Sequence, residues 1–441
     1  MRGFFGLAAL AWRNFSRNLN RYRVLLAALT LVVACLVVIL GTVMGMSESL
    51  RAKASRYFAG DVVVLGYDGS GRSLIAEPEM VRDALEEAIR TSGVPVVTRS
   101  ERSTYYEASH AMLFYAGYYA RQRRLVGVEW DRERPILETF DFTEGGVPED
   151  DDREGILIST AVAEDLGARV GDVILVSVRS ERGRSNTVDL FVRGIFAESS
   201  FFGYTSYLER RTLNAVLERS EDTVNEIGLY IANPLQDEER AALAITRALE
   251  TRLPTFPVLR DRDMYSEASR ERREERVYGV VTLDAQLEEI NDLLGAIFLI
   301  AGVVILLFLG IVIVGVSNTY SMIVFERTRE IGTLRALGMQ RPRTVALFLM
   351  EALFLGVSGV ILGGLAGVTT LEALRRFVVL DGAGGPGWAA LFLTQGRLDW
   401  RLPAAGVTVI FVAAIVAGIA GCLRAAVHAG LIRPVDALRQ E

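Results

Sequence analysis

The sequence predicts a membrane α-helical protein: four transmembrane helices, both termini on the cytoplasmic side, and a large mixed α+β domain outside, between helices 1 and 2. Three observations predict it. Charge is segregated, since residues 47–292 hold 31 basic and 46 acidic side chains, net −15, while the other 195 positions hold 17 basic and 8 acidic, net +9. Four segments, Val24–Met46, Leu294–Val316, Thr344–Val368 and Leu402–Leu423, are apolar over lengths that span a hydrocarbon core of about 30 Å at about 1.5 Å per helical residue. Arginines cluster at the ends of these segments in a consistent sense. The overall charge of −6 over 441 residues is therefore a balance between two chemically different regions, which excludes an all-soluble, a disordered or a collagen-like chain.

The elements follow in order. Phe4, Phe5, Leu7, Ala8, Ala11, Trp12 and Phe15 share one helical face, with Arg13 and Arg17 elsewhere, so residues 1–23 read as an interfacial amphipathic helix on the inner surface. The first apolar run is too long for the core of a signal peptide, and Leu31–Cys35 is followed by eleven uncharged residues, which argues against lipidation at Cys35. Residues 1–23 carry five arginines and no acid, the 317–343 loop five against two acids, and the tail after Leu423 three against two, so all three belong inside. The 369–401 loop then falls outside, against the sense of Arg375 and Arg376. In the outer domain, Asp61–Leu65, Gly155–Ser159, Asp172–Val178, Val188–Ile195 and Glu226–Ala232 read as strands from their β-branched runs and turn-rich flanks. Pro78–Thr91 and Asp237–Arg252 read as amphipathic helices. Residues 263–292, dense in charge and free of proline, are expected to form a long helical stalk running into the second crossing, and Gly382–Gly387 a flexible loop.

Several chemistries are excluded. The only cysteines, Cys35 and Cys422, lie in apolar runs, and the only histidines, His110 and His428, are far apart, which argues against a disulfide in the outer domain and against a zinc site. No phosphate-binding loop, metalloprotease or nucleophile-elbow motif occurs, so the chain is expected to be non-catalytic and to bind no cofactor. The acidic run Glu149–Asp152 lacks calcium-loop spacing and reads as a solvated loop. Tyr105, Tyr106, Phe114, Tyr115, Tyr118 and Tyr119 concentrate aromatic surface that fits either contact with an apolar or lipidated cargo or a sheet core.

The informative segment is Phe325–Arg343, between the second and third crossings. Ile331, Leu334 and Leu337 form a short apolar ridge among Glu326, Arg327, Arg329, Glu330 and Arg335, with Gly338 as a stop and Pro342 beyond it. So small a ridge stabilises little by itself and needs a partner, either a groove on another protein or the lipid surface.

This segment resembles the coupling-helix region of the MacB/FtsX/LolC–LolE superfamily of ABC-transporter permeases, whose E-R-T-x-E-I-G-x-x-[RK]-A-[LV]-G pattern is matched by Glu326, Arg327, Thr328, Glu330, Ile331, Gly332, Arg335, Ala336, Leu337 and Gly338. The third crossing (FLMEALFLGVSGVILGGLAG), the tail Pro434–Arg439, the outer-domain run Ile158–Val176 and the N-terminal WRNFSRN are similar to further family patterns. The resemblance implies that Glu326–Gln340 forms a coupling helix contacting a separate ATPase subunit, which would hold ATP and Mg in two copies. It implies a second permease copy or paralogue, a bacterial inner-membrane location, contact with lipid, and no nucleic-acid partner. Glu351, the one charged residue within a crossing, matches the family's glutamate, although a residue snorkelling to the headgroups is the alternative. Gly356, Ser358, Gly359, Gly363, Gly364 and Gly367 would permit close helix packing. MacB-type exporters carry a fused ATPase domain before the first crossing, and FtsX-type proteins usually have a smaller outer domain. A LolC/LolE-like arrangement is therefore expected, with lipoprotein release as its activity; regulation of a cell-wall hydrolase and efflux through an adaptor are the alternatives.

Overall fold

The structure, a computed structural model, describes residues 2–17, 19–67, 73–106, 111–198, 201–261, 264, 267, 276–379, 389–393 and 396–432. The chain divides into two compact units, one comprising residues 1–47, 294–379 and 397–441, the other residues 48–293 and 380–396. Gly382–Gly387 and Pro434–Arg439 lie outside the described residues.

Among the described residues, four helices are long and apolar enough to cross a membrane: Leu19–Tyr57, Glu288–Glu326, Arg341–Phe377 and Ala404–Leu431, the first to fourth long helices below. Each continues past its apolar run, because helix propagation needs no apolar side chain once a long helix is nucleated. The third long helix is central to the first unit. Gly359, Gly363 and Gly367 recur every four residues on one face, where a Cβ would lie 2.5–2.7 Å from Leu29, Val33 and Val37 of the first long helix. A second face places Gly364 against Phe411 and Gly356 against Ile415 of the fourth. These glycines let backbones approach where lipid supplies no hydrophobic drive for association. The second long helix is apolar all round and exposes Leu299, Leu306, Ile311 and Val314.

The N-terminal helix Arg2–Arg17 packs against the bundle. Ala11 and Phe15 are buried, Trp12 meets Phe354 of the third long helix edge-on at 5.3 Å, and Arg13 and Arg17 face outward. The side chains of Phe4–Ala8 lie outside those described.

The second unit is built on a sheet of twelve strands: β1 (Val62–Tyr67), β2 (Val96–Tyr105), β3 (Met112–Tyr115), β4 (Tyr118–Arg121), β5 (Arg124–Val128), β6 (Phe142–Gly145), β7 (Gly155–Ser159), β8 (Val173–Arg179), β9 (Ser185–Phe196), β10 (Thr205–Glu209), β11 (Glu226–Ile231) and β12 (Val277–Thr282). They run in the order β12-β1-β11-β2-β5-β10-β7-β9-β8-β3-β4, with β6 on β9. Strand β2 belongs to two halves: its first residues pair with β11, and Ser103–Tyr105 pair with β5. One half, β12-β1-β11-β2, is covered by helices Pro78–Ser92 and Pro234–Glu250 over a core that includes Val64, Leu85, Ile227 and Ile245. The other half is inserted between β2 and β11 and packs around Leu113, Ile156, Ile174 and Leu190. In its run Ile158–Val176, Ser159 caps helix Thr160–Leu166 by accepting from the Val162 N–H, and Gly167 ends that helix at φ +67°. Asp172 then accepts from the Arg169 N–H at 2.8 Å, so this family-like pattern is turn chemistry.

The continuous helical stalk expected over 263–292 is interrupted among the described residues 276–292. Val277–Thr282 is strand β12, paired antiparallel with β1 from Val62↔Thr282 to Tyr67↔Val277; one turn, Leu283–Gln286, follows, and helix resumes only at Glu288. The run Val277, Val280, Val281 and Thr282 has the β-branched composition that a strand demands, and pairing with β1 decides it.

Candidate functional site

Between the second and third long helices, Thr328–Ala336 forms a separate short helix, while Glu326 is the last residue of the second long helix. Its end is a Schellman motif: the Met339 N–H reaches the Leu334 carbonyl at 3.1 Å and the Gly338 N–H the Arg335 carbonyl at 3.1 Å, with Gly338 at φ +97°. The three apolar residues do not form one ridge. Spaced by three on a 3.6-residue period, they rotate around the axis: Ile331 is buried in the core of the first unit, Leu334 is half-buried, and Leu337 is 86% exposed. Glu326, Arg329 and Glu330 are also exposed.

Arg327 points the other way. It is buried, and its Nη1 donates to both Oε1 and Oε2 of Glu351 at 3.2 Å, while its Nε donates to Glu330 at 2.8 Å. Glu351, fully buried on the third long helix, also accepts from Asn14 Nδ2 at 3.1 Å and from the Tyr22 hydroxyl at 3.0 Å. It does not snorkel. One carboxylate thus joins the N-terminal helix, the first long helix, the third long helix and the entry to the short helix. The Arg327 guanidinium lies over the Phe348 ring, and Arg335 donates to the Ile432 carbonyl just after the fourth long helix. A carboxylate and a guanidinium taken out of water are tolerated because each has its counter-charge and further hydrogen bonds.

The sequence points to Arg327, Glu330 and Arg335 as coupling-helix residues and to Glu351 as an intramembrane charge, but does not show that Arg327 pairs with Glu351, nor that Asn14 and Tyr22 join them. The available signal was Asn14 itself, a polar residue set between Ala11 and Phe15 on the packed side of an otherwise apolar face.

The aromatic residues of the second unit divide. Tyr105 is buried, and its hydroxyl accepts from the Arg179 N–H at 3.2 Å. Tyr106 is half-exposed and donates to Glu226. The rest belong to the β3–β4 hairpin, turned by Ala116 and Gly117, both at positive φ. Tyr115 bonds Asp172, which pushes its phenol up from the usual range. Phe114 pairs across the hairpin with Tyr119 at 6.4 Å, and Tyr118 and Tyr119 are 64% and 61% exposed. Strand β4 is the last of the sheet, so this aromatic surface sits on an edge.

These features define a class: a multi-pass membrane protein with a large α/β domain following its first long helix and a short pinned helix between its second and third. Comparison with known proteins agrees. The MacB-like periplasmic core domain family matches residues 24–248 and the FtsX-like permease C-terminal family residues 302–430. The chain belongs to the MacB/FtsX family of ABC-transporter permeases. It is similar to an uncharacterized ABC transporter permease of Methanocaldococcus jannaschii, 25% identical over 74% of this chain and 71% of that one. It is also similar to the uncharacterized ABC transporter permease YvrN of Bacillus subtilis, 32% identical over 40% of this chain and 38% of that one. A macrolide export ATP-binding/permease protein MacB of Chlorobium luteolum is 32% identical over 29% of this chain and 16% of its own length.

Proposed function

We propose that this chain transmits ATP-driven motion from a separate ATPase subunit, two copies serving a permease dimer, to its large domain on the outer side of a bacterial inner membrane. Both termini and the short helix Thr328–Ala336 lie on the cytoplasmic side in this reading, as the arginine distribution favours. The observation that carries it is the division of labour around the short helix: Leu337, Glu326 and Glu330 are exposed for a partner, while Arg327 and Ile331 anchor the helix to the bundle. A push on the exposed side is delivered through Arg327 to Glu351, and from there to Tyr22 and Asn14. ATP and Mg belong to the partner; the chain itself catalyses nothing.

Leu337→Asp is expected to leave the chain folded in the membrane and to reduce copurification of the ATPase at least tenfold, since a charge on an exposed docking residue costs the interface and not the fold. Ile331→Asp, in contrast, is expected to lower the amount of folded chain. Normal recovery of the ATPase with Leu337→Asp sinks the docking role.

The cargo is proposed to be apolar or lipidated, held outside the membrane at the exposed aromatics Tyr118 and Tyr119 of the β3–β4 hairpin, with a lipoprotein drawn from the outer leaflet as the first reading. Export of a small amphipathic molecule is the second reading, favoured by the macrolide export relative. Photocrosslinking in vivo from positions 118 and 119 distinguishes them: an acylated protein trapped supports release, a periplasmic adaptor supports export, and a cell-wall hydrolase supports neither.

A further inference from the structure

We infer that Arg102 and Arg124 form a clamp, within the second unit, that fixes the last turn of the first long helix to the sheet. The inference rests on the motion-transmitting reading only for its purpose; the clamp itself stands on geometry within residues 48–293. A helix end leaves its last carbonyls without intrahelical partners. Here the chain satisfies two of them, through Phe58 N–H to the Ala54 carbonyl and Gly60 N–H to the Ser55 carbonyl, both at 2.8 Å. The next two are taken by side chains from the sheet. Arg102 Nη1 of β2 donates to the Arg56 carbonyl at 2.7 Å and to that of Tyr57 at 3.4 Å, and Arg124 Nη1 of β5 donates to the Tyr57 carbonyl. Both guanidinium groups are fully buried, and both complement the negative end of the helix.

Each arginine is held in turn. Arg102 pairs with Glu133 and donates to the Tyr230 hydroxyl at 2.7 Å. Arg124 pairs with Glu226 and lies over the rings of Tyr57 and Tyr106, 5.0 and 4.9 Å from their centroids. Buried ion pairs stabilise little relative to apolar side chains of the same volume. Two of them at one place are therefore best explained by what their remaining N–H groups hold, which is the end of the helix. Nearby contacts work in the same sense: Arg51 bonds Glu238 at 2.6 Å and also Asp284, and Lys53 pairs with Glu198 at 2.9 Å. The return path is tied to the same point, because the Leu283 N–H donates to the Asp61 carbonyl at 2.8 Å where β12 and β1 pair. Arg102 and Arg124 are thus positioning residues that hold residues 54–57 of the first long helix against the sheet of the second unit.

The test uses the full chain in nanodiscs, alone and with its ATPase subunit. In Arg102→Met/Glu133→Gln/Arg124→Met/Glu226→Gln, each charge pair is removed together so that no buried charge is stranded. Hydrogen exchange over residues 54–60 is expected to quicken about tenfold or more, while β7 and β9 keep their protection. Unchanged exchange over 54–60 overturns the clamp. Where the quadruple variant fails to fold, Arg124→Lys is read instead, with the same local loss expected and unchanged protection again overturning it. A nucleotide-dependent change of exchange in the second unit of the unmodified chain is expected to vanish in the variant, and its persistence there also overturns the clamp. If the unmodified chain shows no nucleotide-dependent change, transmission is refuted, and the clamp is still decided by residues 54–60.

Discussion

Replacing Glu351 with leucine is expected to destabilise the folded protein by about 3–5 kcal/mol, the usual consequence of removing one partner of a buried ion pair. Glu351 is fully buried and Arg327 only 5% exposed, so the guanidinium would stay in the interior with a single carboxylate, Glu330, at its solvent side. Asn14 and the Tyr22 hydroxyl would lose their acceptor at the same time. An unpaired polar group costs most where water cannot reach it, and a charge flanked by membrane helices is the extreme case. Glu351→Gln keeps an acceptor for Asn14 and Tyr22 but not the charge, so an intermediate loss is expected. Arg327→Met/Glu351→Leu removes both charges, and most of the stability is expected to return, because desolvation of the pair disappears with the pair. Thermal unfolding of the detergent-solubilised chain orders the variants: wild type above the double variant, then Glu351→Gln, then Glu351→Leu. An unchanged melting temperature for Glu351→Leu would falsify the anchoring role.

The contrast within one short segment shows what a sequence reveals and what it withholds. Turn chemistry and period are local, so the stop at Gly338 and the strand Gly155–Ser159 could be read directly, the latter with the bounds found for β7. The charge split between residues 47–292 and the rest is equally local in origin and led to a large α/β domain after the first long helix. Orientation of a charged side chain is different. Arg327 and Arg329 both flank Thr328 and each has a glutamate as its other neighbour, yet one is buried on Glu351 and the other exposed. Nothing within the segment separates them, because the partner is 24 residues away on another helix. The same holds for Asn14 and Tyr22, more than 300 residues from Glu351. The expected stalk failed for a related reason: β12 exists only because β1, more than 200 residues earlier, offers an edge to pair with. Long-range pairing, in sheet and ion pair alike, is where local rules end.

The contact between the first and third long helices gives the second large effect. Gly363→Leu is expected to separate these helices and lower the yield of folded chain severalfold. A Cβ at position 363 would lie 2.6 Å from the Val33 Cβ and 2.8 Å from the backbone oxygen of Thr30, and neither a Cβ nor a backbone carbonyl can rotate away. Overpacking of a well-packed core costs about 1–3 kcal/mol where side chains can adjust; here the helix itself must shift. The neighbouring glycines should rank by what they meet. At Gly367 the obstacles are the Val37 Cβ at 2.7 Å and the Ala34 carbonyl at 3.1 Å, whereas at Gly359 all three contacts are atoms of the Leu29 side chain, which has rotamers to spare. Alanine substitutions are therefore expected to cost most at 363, less at 367 and least at 359. Gly310→Leu on the second long helix, with nothing within 4 Å of its Cβ, serves as the matched control and is expected to leave folding unchanged. Melting temperatures in detergent and protein levels in the membrane measure the series. If Gly363→Leu behaves like Gly310→Leu, the close approach of Thr30 and Val33 to Gly363 is wrong, and with it the idea that the glycine stripe was spaced for the first long helix rather than for lipid.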